Sequence, residues 1–139
     1  SVKHFSSVDG AILSAAVSDF KPVASHKEKV KRGKDNLNIE LEPTKDIAGE
    51  LGKMKKGKQI LVGFALETQN EEENARKKLT RKNLDFIVLN SLNDPGAGFQ
   101  VDTNKIKIID KENNITEFEL KSKAEVAKDI VEKLIDTIL

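Results

Sequence analysis

Cysteine is absent from the 139 residues, and with it go disulfides, thiolate metal sites and a cysteine nucleophile. An excess of charge of one sign is also lacking: 24 basic residues against 23 acidic ones leave +1. No global field draws the chain to nucleic acid or to a membrane surface, so its basic residues act locally or not at all. No apolar run approaches the roughly 20 residues of a membrane helix. The first residues lack the basic-then-apolar form of a signal peptide. Histidine occurs twice, at His4 and His26, far apart in sequence. Each reads as a surface residue, because a zinc site needs three or four protein ligands together. The composition fits a reducing, cytoplasmic setting. A hydrophobic share of 37% and a charged share of 34% suit one cored, well-solvated domain, or a large part of one.

What is present is an ordered series of apolar runs and amphipathic stretches. Ala11 to Val17 is small, branched and apolar without alternation, the pattern of a central parallel strand. Such a strand needs neighbours on both sides, so the chain is expected to begin inside a larger unit. Lys27, Lys29 and Lys31 occupy alternate positions, and in an extended segment their ammonium groups share one face. Asn36 to Glu42 alternates, with Leu37, Ile39 and Leu41 on one side, and predicts a strand paired with the lysine segment and stopped by Pro43. Thr44 then offers an N-cap to a helix carrying Ile47, Leu51 and Met54, weakened by Gly49 and Gly52. Gln59 to Leu66 reads as a second buried strand, in which Gly63 marks a close approach by a ligand or another backbone. Asn70 with Glu73 starts a charged helix reaching Lys82, and Phe86 to Leu89 is a third buried strand. Lys105 to Asp110 and Thr116 to Leu120 flank an Asn-Asn turn as a hairpin. Ser122 and Glu125 form a capping box for a final helix whose apolar positions run from Val126 to Ile138.

This order predicts an α/β layered fold, Rossmann-like, with a mostly parallel sheet and a late antiparallel hairpin. Ligands on such sheets bind at the carboxyl ends of the strands. Those ends are expected at Ser18–Asp19, Glu67–Thr68 and Asn90–Ser91, all polar. The lysine segment beside Asp19 suits a polyphosphate; the same spacing also describes an exposed edge strand guarded by lysines. Lys78 and Lys82 share a helix face, as do Lys77 and Arg81, which also fits an ordinary solvated face. Asp19 and Asp46 have a bland reading too, as turn or helix caps. Gly52 to Gln59 (GKMKKGKQ) comes near a P-loop, but Gln59 stands where Ser or Thr is required and the run follows a helix instead of a strand. It reads as a solvated basic turn. The G-x-G-x-x-G fingerprint is absent, which disfavours a nicotinamide or flavin oxidoreductase.

AAVSDF, KVKR, PTKDI, VGFALET and ARKKLTRKNLD occur in that order. Together they resemble the phosphopantothenate–cysteine ligase domain, the C-terminal half of bifunctional coenzyme A biosynthesis flavoproteins. The resemblance runs from Gly10 to the C-terminus. It implies a CTP-dependent, magnesium-requiring ligation of 4′-phosphopantothenate to L-cysteine through an acyl-cytidylate, in a homodimer without nucleic acid or membrane partners. FMN would belong only to a fused decarboxylase domain. Carried across, Leu13, Ser14 and Ala15 would line the cytidine pocket. Asp19 would meet the nucleotide at the ribose or through magnesium. Lys29 would be the catalytic cation on the attacked phosphate. Lys45, Asp46, Ile47 and Ala48 would touch the nucleotide, Phe64 the base, and Lys78 and Lys82 the triphosphate. Lys45 departs from the family's N-P-D-I, where Pro is usual. The family's glycine-rich turn and S-N-H-S-S-G segment are not among these residues. The chain is therefore expected to be a single partial domain (1–139), the C-terminal portion of a ligase domain, inactive alone. The alternative is a non-catalytic Rossmann-like module for nucleotide binding or dimerisation.

Overall fold

The computed structural model describes residues 1–24, 37–91, 93 and 101–139. They fall into two compact units, Ser1–Ser14 with Ile47–Leu139, and Ala15–Asp46. The larger contains helices α1 (Val2–Phe5), α2 (Ile47–Met54), α3 (Glu71–Arg81) and α4 (Lys123–Ile138). Its strands are β1 (Gly10–Leu13), β4 (Ile60–Glu67), β5 (Phe86–Ser91), β6 (Thr103–Asn104), β7 (Ile106–Asp110), β8 (Ile115–Glu117) and β9 (Lys121–Ser122). The smaller unit contributes β2 (Phe20–Pro22) and β3 (Leu41–Pro43).

The main sheet has the order β1-β4-β5-β7-β8. β1, β4 and β5 are parallel, while β7 and β8 join antiparallel as the expected hairpin. This is the α/β layered architecture the sequence predicts. β4 and β5 lie between neighbours on both sides, which suits their unbroken apolar runs. One face of the sheet packs Leu61, Ala65, Ile87 and Ile109 against Phe5, Leu51, Ala75 and Leu79, so α1, α2 and α3 cover it. The other packs Val62, Phe86, Val88 and Ile108 against Val126 and Ile130 of α4. Each of the Val, Leu, Ile and Phe side chains among these contributes roughly 1.5–3 kcal/mol on burial.

Several expectations change. β1 has four residues, Gly10–Leu13, where a longer strand was expected, and among the described residues it pairs on one side, with β4, leaving Ile12 42% exposed. Small apolar residues continue past Leu13, but the chain from Ala15 onward belongs to the smaller unit. Ser18–Asp19 therefore lead into β2 and do not end β1. Thr44 does not cap α2: its hydroxyl donates to the Ser18 carbonyl at 2.6 Å and its amide to the Asp19 carbonyl at 2.9 Å. The helix starts later, at Ile47. Pro43 ends β3 as expected, as its last paired residue, opposite Phe20. Asn70 does start α3, as its N-cap, though with φ 46° and no side-chain cap bond, so a capping box does not form there. It does form at Ser122 and Glu125. Half of the apolar stripe on α4 stays outside, with Val131, Ile135 and Ile138 46–60% exposed.

The glycines explain themselves by contact. A Cβ on Gly63 would fall 2.6 Å from Leu84 Cδ1, so a side chain occupies the space expected for a ligand or backbone. On Gly52 it would fall 2.0 Å from the Lys82 carbonyl oxygen, so this weak helix former lets α2 meet the end of α3. Asn83 closes that contact: it takes φ 51° and donates from its amide to the Gly52 carbonyl at 3.0 Å. Asp85 accepts from the Leu61 amide at 2.7 Å and pairs with Lys55 at 2.9 Å, both side chains nearly buried. Of the lysines in the basic turn, Lys53, Lys56 and Lys58 are thus exposed and Lys55 is not, and the K-N-L-D segment joins α2, α3, β4 and β5 at the amino ends of the strands.

Gly52→Ala should cost about 1–3 kcal/mol by forcing backbone apart, read as a lower urea midpoint with an unchanged slope. Asp110 carries a second expectation. Burial alone would raise its carboxyl, but bonds from Asn114 and the Lys133 ammonium hold it below its ordinary 3.8. A depressed value in the folded state stabilises above the unfolded value and is lost as pH falls through the folded one. Urea unfolding between pH 6 and about pH 2 should show a flatter acid decline for Asp110→Asn than for the parent.

Candidate functional site

The carboxyl ends of β1, β4 and β5 present Leu13, Glu67 and Asn90–Ser91. β1 and β4 run in register with Leu13 opposite Gly63, and β4 and β5 with Glu67 opposite Ser91. Glu67 lies on the α3 side of the sheet, in alternation with Ala65. One of its oxygens is 2.6 Å from Lys78 Nζ, and the other accepts from Asn74 Nδ2 at 3.3 Å. The Glu67 side chain is 13% exposed and that of Lys78 36%. Beside them, Glu71 Oε1 accepts from Ser91 Oγ at 2.6 Å and from Asn93 Nδ2 at 2.9 Å. Asn93 Nδ2 also donates to the Thr68 carbonyl at 3.0 Å. Asn104 Nδ2 reaches Asn90 Oδ1 at 3.1 Å. Lys107 lies between Glu117 and Glu72, each at 2.8 Å, and those hydrogen bonds push its ammonium well above the ordinary lysine range.

The residues singled out from sequence distribute as follows. Leu13, Ser14, Ile47, Ala48, Phe64, Lys78 and Lys82 belong to the larger unit, and Ala15, Asp19, Lys45 and Asp46 to the smaller. Lys29, with Lys27, Lys31 and His26, lies outside the described residues, as does most of Ser91 to Gly98. Within the larger unit, Leu13 and Ile47 pack on the α2–α3 side, where Lys78 also lies, and Phe64 packs on the α4 side. Phe64 and Glu67 are three residues apart on one strand, about 10 Å. Lys82 stands at the C-terminal cap of α3, one turn beyond Lys78, with its carbonyl against Gly52. Lys77 fits the bland reading, exposed and paired with Glu73 at 2.6 Å. In the smaller unit the Asp19 carbonyl is tied to Thr44 while its residue is exposed.

Sequence reasoning named Glu67 only as a polar strand end. Asn74 and Lys78, four apart, share a face of α3, but no spacing ties that face to Glu67 on β4. An open recess lined by Ser6, Asp9, Met54, Lys56 and Gln59 lies at the other, amino edge of the sheet. Gln59 is committed there to the carbonyls of Phe5 and Val8, both at 2.8 Å, so the recess reads as part of the fold's closure. Among the described residues no three His, Cys, Asp or Glu gather as a metal site, and no helix is long and apolar enough to cross a membrane.

A protein named cysteine/cysteine sulfinic acid decarboxylase, from an unknown prokaryotic organism, is 60% identical over 138 residues, 99% of this chain and 38% of its own length. The coenzyme A biosynthesis bifunctional protein CoaBC of Bacillus subtilis is 45% identical over 126 residues, 91% of this chain and 31% of its own length. The chain thus spans about a third of these relatives. The crystal structure of the C-terminal domain of a CoaBC protein superposes with a TM-score of 0.73 at 38% identity, covering 96% of this chain and 56% of that one. The family described as the DNA/pantothenate metabolism flavoprotein C-terminal domain matches residues 1–138, and the chain belongs to it.

Proposed function

We propose that this chain is the nucleotide-binding part of a phosphopantothenate–cysteine ligase in coenzyme A biosynthesis. The observation that carries the reading is the lysine set by the carboxyl edge of a parallel sheet, in a chain 45% identical to a CoaBC protein. The substrate carboxylate attacks the α-phosphorus of CTP, and pyrophosphate leaves. The amine of L-cysteine then attacks the acyl carbon, and CMP leaves. Negative charge grows on the phosphorus oxygens and on the departing pyrophosphate. Fixed ammonium groups help there more in the transition state than in the ground state. Lys29 serves the attacked phosphate, and Lys78 and Lys82 the triphosphate. Leu13, Ser14, Ala15 and Phe64 serve the cytidine, and residues 45–48 the nucleotide as α2 begins. No protein nucleophile is needed, which agrees with a sequence free of cysteine.

Magnesium fits as an ion that arrives with the triphosphate. Such an ion keeps most of its waters and asks the protein for one or two carboxylates. Asp19, exposed in the smaller unit, is the carboxylate that would hold it, and the ion would supply charge neutralisation at the phosphates.

The smaller unit supports the homodimer of this reading. β2 and β3 place Lys21 opposite Glu42 at 3.0 Å on one face and Phe20 and Leu41 on the other. Phe20, Leu37, Ile39 and Leu41 are 53–66% exposed. A two-stranded ribbon is marginal on its own, and a second copy would cover its apolar side.

A second reading is favoured by one specific observation: the relative at 60% identity is named for decarboxylation of cysteine or cysteine sulfinic acid. In such a protein this segment would be a nucleotide-binding or assembly module without ligation. The full-length protein separates the two. With CTP, magnesium, 4′-phosphopantothenate and cysteine, ligation releases CMP and pyrophosphate together. CTP binding without either product favours the module.

In calorimetry the full-length protein should bind CTP with magnesium and not NADPH. Lys29→Gln and Lys78→Gln should each weaken CTP about tenfold or more; unchanged affinity in both would remove the site assignment. The isolated 139 residues should show no turnover in the CTP-dependent assay, and full turnover would show that no further segment is required.

A further inference from the structure

We propose that Glu67 is the positioning residue for Lys78. It holds the ammonium at the rim of the sheet in the orientation that meets the nucleotide's outer phosphates. The proposal rests on the nucleotide reading of Lys78 given above and goes beyond it by naming what places that lysine.

Lysine is a rotamer-rich side chain, and a flexible cation loses conformational freedom when a ligand fixes it. Here the anchor is itself anchored. Glu67 is the last residue of β4, and the ladder to β5 sets its backbone opposite Ser91. Asn74 donates to Oε2 and also to the Gln69 carbonyl at 3.0 Å, so the amide is fixed from two sides. That leaves Oε1 for Lys78, at 2.6 Å. The carboxylate is 13% exposed, unlike Glu73, whose pair with Lys77 on the same helix is 64% and 68% exposed. The contrast separates a pair screened by water from one whose geometry is imposed by strand and helix together. An ammonium has three donors, and Glu67 accounts for one. With Lys78 in place the carboxylate's charge is compensated; without it the same carboxylate would repel a triphosphate. Glu67 therefore helps binding only through Lys78.

This dependence can be read in a double-mutant cycle on the full-length protein, titrated with CTP and with CMP in the presence of magnesium. Glu67→Gln should weaken CTP about fivefold and leave CMP unchanged, and Lys78→Met should weaken CTP about tenfold. The double variant should bind CTP no more weakly than Lys78→Met alone. Asn74→Ala, which frees Glu67 without altering either charge, should weaken CTP in the same direction, and it carries the test if Glu67→Gln fails to fold. A Glu67→Gln loss that is the same size in both backgrounds, or that affects CMP as much as CTP, overturns the positioning role and makes Glu67 merely structural. If Lys78→Met itself leaves CTP affinity unchanged, the nucleotide reading of Lys78 falls and the positioning role falls with it. A normal Lys78→Met loss with an additive Glu67→Gln removes the positioning role alone.

Discussion

The parallel pairing of β4 with β1 on one side and β5 on the other is the constraint from which the rest follows. Residues 60–63 and 65 of β4 are buried, and the strand opens only at its end, where Leu66 is exposed and Glu67 half-buried. A strand covered on both faces and both edges cannot carry polar chemistry along its length. Chemistry is pushed to the rim, where the ladder still fixes the backbone and a side chain can reach water. Glu67 stands there with helix α3 beside it, and Phe64 stands just inside on the opposite face. A ligand touching both residues must cross the rim of the sheet, from the α4 side to the α3 side. On the proposed reading that crossing assigns the base and the phosphates to opposite faces.

The amino edge is closed by different means. Asp85 satisfies the first amide inside β4 and the Lys55 ammonium together. Removing a nearly buried partner of this kind leaves the other charge uncompensated, which is why such pairs are costly to break even where they contribute little as pairs. Asn83 and Gly52 bring the backbones of α2 and α3 together just above it. The two edges thus differ: at the amino edge Asp85, Asn83 and Gln59 are committed to backbone and lysine partners, while at the carboxyl edge Lys78 stays partly exposed.

Much of this was legible in the sequence. Long apolar runs with no alternation gave β4 and β5, and the Ser122–Glu125 box gave the start of α4, because burial and capping are local and periodic signals. β1 misled only in its length, because small apolar residues continue past Leu13 into the smaller unit and an apolar run does not mark where the ladder stops. Thr44 misled because its hydroxyl found a long-range carbonyl, Ser18, in place of its own helix, and no local pattern encodes that. The K-N-L-D segment was legible as a family likeness, but its physical content lies between elements far apart in sequence. Lys78 was picked out as a cation on a helix face; the Glu67 that holds it was visible only as a strand end. Pairings of this kind depend on how a helix lies on its strand, which spacing constrains but does not fix.

The acidic start of α3 bears on why lysine side chains should be used at all. Many phosphate sites use a helix N-terminus, where free amides and the dipole favour an anion. Here Glu71, Glu72 and Glu73 already occupy that turn. Each is engaged: Glu71 with Ser91 and Asn93, Glu72 with Lys107, and Glu73 with Lys77, whose ammonium holds the Glu73 carboxyl below its ordinary value. Three carboxylates in the first turn satisfy the dipole internally and would repel a phosphate arriving there. An anion at this rim must therefore find its positive charge further along the helix, on side chains long enough to reach back toward the strand ends. Side chains on a helix tilt toward its N-terminus, so a lysine two turns in, as Lys78 is, points back to the rim. On the proposed reading, phosphate recognition passes from backbone amides to a flexible lysine whose position must be limited, and a carboxylate pinned at the end of β4, 2.6 Å from Lys78, would answer that need.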